Sequence, residues 1–321
     1  MLNWTTEPGM RIMYDGFYQH PMNGSEPYQG MMSDDIIKLN DGSYRMYLSS
    51  FHGWAAEPYN MTRSAISQDL LNWTVEPGVR IDSGEFAGEL YKINAIFSKV
   101  LQLPGEAVRI FFAGYTATQI PGVTGTLGNF FLQSAVSPDG LNFTVEPGTR
   151  TFPQPYPHYC YRAYPSNIIK TSKGLYRMYL MTPYGGGGVS WFNVVSIVSE
   201  DGLNWVNEPG SRWKWSGAYV EGDPVYPENR FYAVPLDGDG VRLFIGTINN
   251  TAVKRHWMFS AISSDGLNFV QEPGNRMYYS SSPISNPVIV KIPGGHRMIF
   301  SLLTNQYPER FGKIYSAVSY D

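Results

Sequence analysis

Apolar residues in this chain fall in short runs of strand character, separated by turn residues that recur at similar intervals. Asp34-Asp35-Ile36-Ile37-Lys38-Leu39 leads through Asn40-Asp41-Gly42 to Tyr44-Arg45-Met46-Tyr47-Leu48. Two apolar runs around Asp-Gly predict a β-hairpin, because these residues tolerate the backbone angles of a tight turn. The pattern returns as Asn167-Ile168-Ile169-Lys170, a Lys173-Gly174 turn, and Tyr176-Arg177-Met178-Tyr179-Leu180. It returns again as Pro287 to Lys291, Pro293-Gly294-Gly295, and Arg297-Met298-Ile299-Phe300. Looser copies run from Phe97 to Leu101 with Arg109 to Phe112, and from Phe231 to Val234 with Arg242 to Ile245.

After each of these hairpins a second one turns through a repeated phrase. It reads Ser137-Pro138-Asp139-Gly140-Leu141-Asn142-Phe143, followed by Glu146-Pro147-Gly148-Thr149-Arg150. Copies centre on Asp69, Asp201 and Asp265. The fifth copy is split: the chain finishes Ser319-Tyr320-Asp321 and opens Met1-Leu2-Asn3-Trp4, with Glu7-Pro8-Gly9-Met10-Arg11 beyond. Set end to end, the two pieces complete the phrase with Met1 in the Gly140 slot. Repeats of this size, joined through the chain ends, predict a closed ring rather than an open solenoid. Four short strands per repeat make a propeller blade, and closure leaves only short sheet edges. The expected fold is all-β: a five-bladed β-propeller over residues 1–321, one domain, with the N-terminal segment supplying the outer strand of the C-terminal blade.

The phrase itself reads as scaffold. Asp before Gly lets the carboxylate bond the turn amides while Gly takes a positive φ. The Trp or Phe three residues on is expected to pack between neighbouring blades. Glu-Pro-Gly-x-Arg is expected to end the outer strand, where Pro is tolerated at an edge. The tight, repeated turns all fall on one face of the ring. The long, unlike connections fall on the other, among them 114–128, Tyr184 to Trp191 and Asn249 to His256. Variable loops on a rigid scaffold mark the binding face.

Composition narrows the partner. Aromatic residues make up 15% and charged residues only 16%, against about 25% charged in ordinary domains. The net charge is −3 with no basic run, which argues against nucleic acid and anionic membrane. No apolar stretch is long enough to span a bilayer. Met1 runs at once into repeat sequence, so no signal peptide is expected on this chain, and the native compartment stays open. The single cysteine, Cys160, excludes an intramolecular disulfide framework. Five histidines without metal spacing argue against zinc, and no phosphate-cradling loop opens a helix, so no cofactor or metal is expected.

The Ser-x-Asp-Gly-x-x-Trp hairpins resemble the blade motif of the five-bladed glycosidase propellers, the arabinanase and β-xylosidase group and the invertase and levansucrase group. The likeness covers the whole ring at the level of the repeat, and the hairpin is shared more loosely with sialidase Asp boxes. It implies carboxylates from inner strands of different blades converging on a pocket over the axis. One acts as base or nucleophile near the first inner strand, and a Glu in a Glu-Gly-Pro context is the general acid. This chain offers Asp34 and Asp35 for the first role and Glu221, in Glu221-Gly222-Asp223-Pro224, for the second, with Asp223 inserted before Pro. For a third carboxylate, repeat three offers no acid between Tyr161 and Asn167, and repeat two offers Glu89.

Glycoside cleavage needs one carboxyl protonated and another ionised across the bond, a split that burial and mutual repulsion produce. Trp54, Tyr184, Trp191 and Trp215, with Trp213 and Tyr219, are candidates to stack on sugar faces, or else to pack between blades. His158 and Arg162 sit in a connection of the variable face and are candidate substrate contacts. For Asp34 and Asp35 the competing reading is a strand cap paired with a nearby cation. Two functions follow: a glycoside hydrolase acting on a saccharide in the axial pocket, or a non-catalytic carbohydrate-binding propeller.

Overall fold

The computed structural model describes residues 1–13, 30–52, 59–82, 84–85, 91–93, 98–116, 129–150, 164–184, 191–215, 218–220, 223–248, 256–280, 282–303 and 311–321. Every regular element among them is a strand. They form five antiparallel blades of four strands, ordered from the axis outward. Blade 1 comprises Gly30–Lys38, Tyr44–His52, Tyr59–Ser67 and Thr74–Val75. Blade 2 comprises Lys99–Gln102, Val108–Thr116, Asn129–Ser137 and Thr144–Val145. Blade 3 comprises Tyr164–Lys170, Tyr176–Tyr184, Trp191–Ser199 and Val206–Asn207. Blade 4 comprises Asp223–Pro235, Val241–Ile248, His256–Ser263 and Val270–Gln271. Blade 5 comprises Ile284–Ile292, Gly295–Leu303 and Phe311–Ser319, and takes Thr5–Thr6 as its outer strand.

The ring closes as the split phrase requires. Thr5 pairs with Val318 and Thr6 with Ala317, and Ile12 follows opposite Ile314. The amides of Leu2 and Asn3 donate to the Asp321 carboxylate, as does Asn3 Nδ2 at 2.7 Å, and the amine of Met1 meets the same residue. The bonds an unbroken motif makes inside one chain segment are made here between its two ends.

Each copy of the phrase is fixed twice, once to itself and once to its neighbour. Asp139 Oδ1 accepts the amides of Leu141 and Asn142 at 2.9 and 3.0 Å, and Ser137 Oγ donates to it at 2.7 Å. These donors hold the carboxyl well below its ordinary range, the amide of Asn142 foremost, and the same is true at Asp69, Asp201 and Asp265. The turn then leans on the preceding blade: Arg45 Nη1 donates to the Asp139 carbonyl and Tyr47 Oη to the Gly140 carbonyl, both at 2.9 Å. Gly140 has φ +69°, and a Cβ there would lie 2.7 Å from Arg45 Nη1 and 2.8 Å from Tyr47 Oη. In the blade 1 copy Leu70 takes this conformation, with φ +65°. The residue of blade 5 that matches Tyr47 in register is Ile299, which lacks the hydroxyl that Tyr47 and Tyr179 set against Gly140 and Gly266.

The aromatic residue of each phrase packs across a blade joint. Edge-on contacts join Phe143 to Tyr47, Trp205 to Phe111, Phe269 to Tyr179, and Trp4 to Phe244, with centroids 5.5–6.0 Å apart. The Glu of Glu-Pro-Gly meets the arginine of its own blade's second strand. These pairs are Arg45–Glu76, Arg109–Glu146, Arg177–Glu208, Arg242–Glu272 and Arg297–Glu7, each bonded through two nitrogens. Bidentate charge-assisted pairs fix geometry as well as energy, which suits a contact that sets blade shape. The hydrophobic core divides into five clusters, one at each joint between neighbouring blades. The outer strands are two residues long, which leaves little edge for another chain to pair with.

Candidate functional site

The five inner strands surround the axis, and the ladder to each second strand puts them in common register. Ile37, Leu101, Ile169, Val234 and Val290 each face the blade arginine. Two residues before them stand Asp35, Lys99, Asn167, Tyr232 and Val288. Three before stand Asp34, Ser98, Ser166, Phe231 and Pro287. In blades 1, 3, 4 and 5 the register shifts across this stretch, as a β-bulge does. A bulge re-aims side chains locally, so the inner strands depart from regular pairing where their polar residues gather. Each inner strand runs from its long connection towards its tight turn, so Asp34 lies nearer the variable-loop face than Asp35.

The two aspartates have different surroundings. Asp35 Oδ2 accepts the Val100 amide of blade 2 at 3.0 Å, and its Oδ1 accepts the amide of Ile36 at 3.0 Å. Asn167 makes the matching clasp from blade 3 to blade 4: its Oδ1 accepts the Ala233 amide at 2.7 Å and its Nδ2 donates to the Ala233 carbonyl at 2.9 Å. A neutral amide does the same work at the equivalent position, which identifies the Asp35 contact as a joint between blades. Tyr232 of blade 4 and Lys99 of blade 2 both act on the Asp35 carboxyl, and Lys99 Nζ lies 5.8 Å from the Tyr232 ring centroid. Asp35, Lys99 and Tyr232 are all buried and fill the axis at this level.

Asp34 is fully buried and held by three blades. Its Oδ2 accepts Ser49 Oγ of blade 1 at 2.5 Å and the Ser98 amide of blade 2 at 3.1 Å. Its Oδ1 accepts Asn286 Nδ2 of blade 5 at 3.0 Å. Lys99 Nζ donates to its carbonyl at 2.5 Å. Burial pushes the Asp34 carboxyl up to about 7, against the opposing pull of Lys99, Ser49, Ser98 and Arg230. Burial also raises Asp35 and lowers Lys99, whose charge the two aspartates support. A carboxyl poised near neutrality in this way is suited to exchange a proton. Arg230 of blade 4 donates to Ser285 Oγ at 2.9 Å, one residue before Phe231 and so one step closer to the variable-loop face.

Other expected site residues are distributed differently. Asp223 opens the inner strand of blade 4, opposite Val220, and stands eight residues before Phe231. Along an extended strand that is up to roughly 26 Å from the level of Asp34, at about 3.3 Å per residue. Tyr184 and Trp191 pair with one another at the connection end of blade 3. Trp215 pairs with Phe192 on the outer side of that blade, away from the axis, and Trp213 packs against the core between blades 3 and 4. Trp54, Glu89, His158, Arg162 and Glu221 lie outside the described residues. Lys99, Arg230 and Asn286 were not legible as site residues, since each sits within an ordinary strand or turn pattern; only the repeat register, once fixed, reveals them. The backbone of Glu228 stands three residues before Phe231 in the same strand. Among the described residues no cluster of three or more His, Cys, Asp or Glu is arranged to hold a metal.

No family model and no curated protein matches the chain. Solved structures do. An endo-arabinase from Bacteroides thetaiotaomicron superposes with a TM-score of 0.63 at 13% identity, covering 98% of this chain and 98% of that one. A β-1,2-mannobiose phosphorylase from Listeria innocua gives 0.64 at 10% identity, over 99% and 97%. A Bombyx mori GH32 β-fructofuranosidase gives 0.61 at 12% identity, over 89% of this chain and 59% of that one. The chain therefore has the five-bladed propeller fold of these carbohydrate-active enzymes, a likeness that at such identities is one of fold.

Proposed function

We propose that this protein is a glycoside hydrolase-like propeller acting on a saccharide in an axial pocket on the variable-loop face. The observation that carries the reading is Asp34: a fully buried carboxyl on the first inner strand, held by donors from three blades and poised near pH 7. At the level of Asp34, blade 3 carries the neutral Ser166, whose Oγ accepts the Tyr179 amide at 3.1 Å, so a carboxylate is not required there to join strands. The fold likeness to arabinanase- and fructofuranosidase-type propellers supports the same direction. In this reading Asp34 is the ionisable partner and Asp35 its support. The proton donor comes from the strand of blade 4: Glu221 by its Glu-Gly context, with Asp223 beside it, or Glu228 by its place in that strand. Glu89 remains the candidate third acid. Trp54, Tyr184, Trp191, Trp215, His158 and Arg162 are the candidate sugar contacts.

A panel of aryl and unactivated glycosides tests this. Turnover that falls by about 100-fold or more in Asp34→Asn, with unactivated substrates losing more than aryl ones in Glu221→Gln, supports Glu221 as the acid. The same pattern in Glu228→Gln moves the role there. Saccharide binding without turnover, unchanged in all three variants, overturns the hydrolase reading. A non-catalytic binding propeller would then be the better account. The distance along the strand to Asp223 favours that second reading.

A further inference from the structure

We infer that Asn286 is a positioning residue that aims the Asp34 carboxyl, presenting Oδ1 towards the variable-loop face. The inference rests on the reading of Asp34 as the working carboxylate. Asn286 lies in the bulge of the blade 5 inner strand with φ +48°, and it is buried. Apart from Leu70 in its turn, no other non-glycine residue among those described has a positive φ. Asn tolerates this left-handed region better than most residues, but the following Pro287 narrows its freedom further. A backbone held in a sparsely populated region needs a surrounding structure that over-determines it, and such positions gather at working sites.

The constraints are visible. The Asn286 carbonyl accepts Ser33 Oγ at 3.0 Å, and the Ser33 amide donates to Ser301 Oγ at 3.0 Å. Blade 5 thus grips the inner strand of blade 1 at the residue immediately before Asp34. The left-handed conformation turns the Asn286 amide onto Asp34 Oδ1. Oδ2 carries two donors, Ser49 Oγ of its own blade and the Ser98 amide of blade 2, whereas Oδ1 has this one donor among the described residues, so Oδ1 retains acceptor capacity. The charged groups facing this carboxyl are Lys99 from blade 2, Arg230 from blade 4 and Asp35 on its own strand. Asn286 is the neutral donor that meets Oδ1. A donor to the ionised form favours ionisation, so its removal raises the proton affinity of Asp34.

The test reads the carboxyl directly and needs no substrate. Carbon-13 NMR of aspartate carboxyls is followed through a pH titration, with the Asp34 signal assigned by its loss in Asp34→Asn. Asn286→Gly relieves the backbone and deletes the donor, while Asn286→Asp keeps a residue tolerant of this conformation and replaces the donor by a second carboxyl. The expected result is an upward shift of the Asp34 midpoint by about one pH unit in the Gly variant, tenfold in proton affinity, and a larger one in the Asp variant. The denaturation midpoint of the Gly variant should be unchanged or raised. An unmoved Asp34 midpoint in either folded variant overturns the inference, and a loss of stability alone marks Asn286 as purely structural. If the Gly variant does not fold, the Asp variant decides. Failure to hydrolyse any glycoside would count against the hydrolase reading and leave this titration fully interpretable.

Discussion

The seam of the ring offers the sharpest quantitative test. Glu7 belongs to the N-terminal segment, and both its oxygens accept from Arg297, at 2.9 Å each, while Ser316 Oγ donates at 2.6 Å. Burial alone would raise its pKa; the bonds to Arg297 and Ser316 outweigh that and hold it below its ordinary value. In Glu7→Gln the charge is lost and Arg297 keeps its bond to the Asp69 carbonyl. The side chains of the pair are 16% and 12% exposed, so the loss falls below the full range for a buried pair, at about 2 kcal/mol. Glu208→Gln is the matched control, since Arg177–Glu208 has the same geometry at 17% and 9% exposure inside a continuous blade. Urea denaturation should give losses of about 2 kcal/mol for both. Hydrogen exchange should separate them, because only the Glu7 variant loosens residues 4–12, including the Glu7 amide bonded to Ser316 at 2.9 Å. The sign with pH also follows: a depressed carboxyl contributes stability above its unfolded pKa, and that stability is lost as pH falls through the folded one. The gap between wild type and Glu7→Gln should therefore narrow as pH falls below the ordinary value of 4.5. An unchanged urea midpoint for Glu7→Gln beside a clear loss for Glu208→Gln would refute the view that the seam is held by the same pair as the blades.

Three further outcomes are expected. Deleting residues 1–12 should destabilise the ring by several kcal/mol in calorimetry or urea, because it bares the outer edge of blade 5 and strips Trp4 from Phe244; equal stability of the truncated chain would be inconsistent with closure. Gly140→Ala should cost roughly 2–4 kcal/mol from its positive φ and close contacts. At Gly148, where φ is +79° and nothing lies near the added methyl, the cost should be about half that. The raised pKa of Asp34 contributes stability below its unfolded value, near 3.8, and loses it as pH rises through about 7. Asp34→Asn should accordingly gain on wild type between pH 4 and 8 in urea midpoints, and a constant difference would show that Asp34 does not titrate there.

The fold was legible because it repeats. Five copies of Ser-x-Asp, three of them continuing into Gly, and five of Glu-Pro-Gly-x-Arg fix blade number, strand order and the seam, and each copy makes the turn bonds its residue types allow. The Asp34 site was legible only in part. An Asp-Asp pair on a strand does not disclose that Asp35 clasps the Val100 amide while Asp34 is gripped by Ser49, Ser98 and Asn286, because a one-residue bulge separates the two. Lys99 and Tyr232 read as strand residues, since their partners lie in other blades, 65 or more residues away in the case of Lys99 and Asp34. Trp215 read from its residue type as a sugar platform or a blade-packing residue, and its backbone pairs with Phe192 on the outer side of blade 3.

The lean of each turn on the blade before it gives the ring a sense of rotation. Arg45 and Tyr47 of blade 1 are capped by the turn of blade 2, Arg109 of blade 2 by that of blade 3, Tyr179 of blade 3 by that of blade 4, and Arg297 of blade 5 by that of blade 1. No blade caps itself. Damage to one turn therefore uncovers the previous blade, and the disturbance travels against the direction of the chain. A blade taken alone would therefore lack the cap on its second strand, which the turn of the following blade supplies.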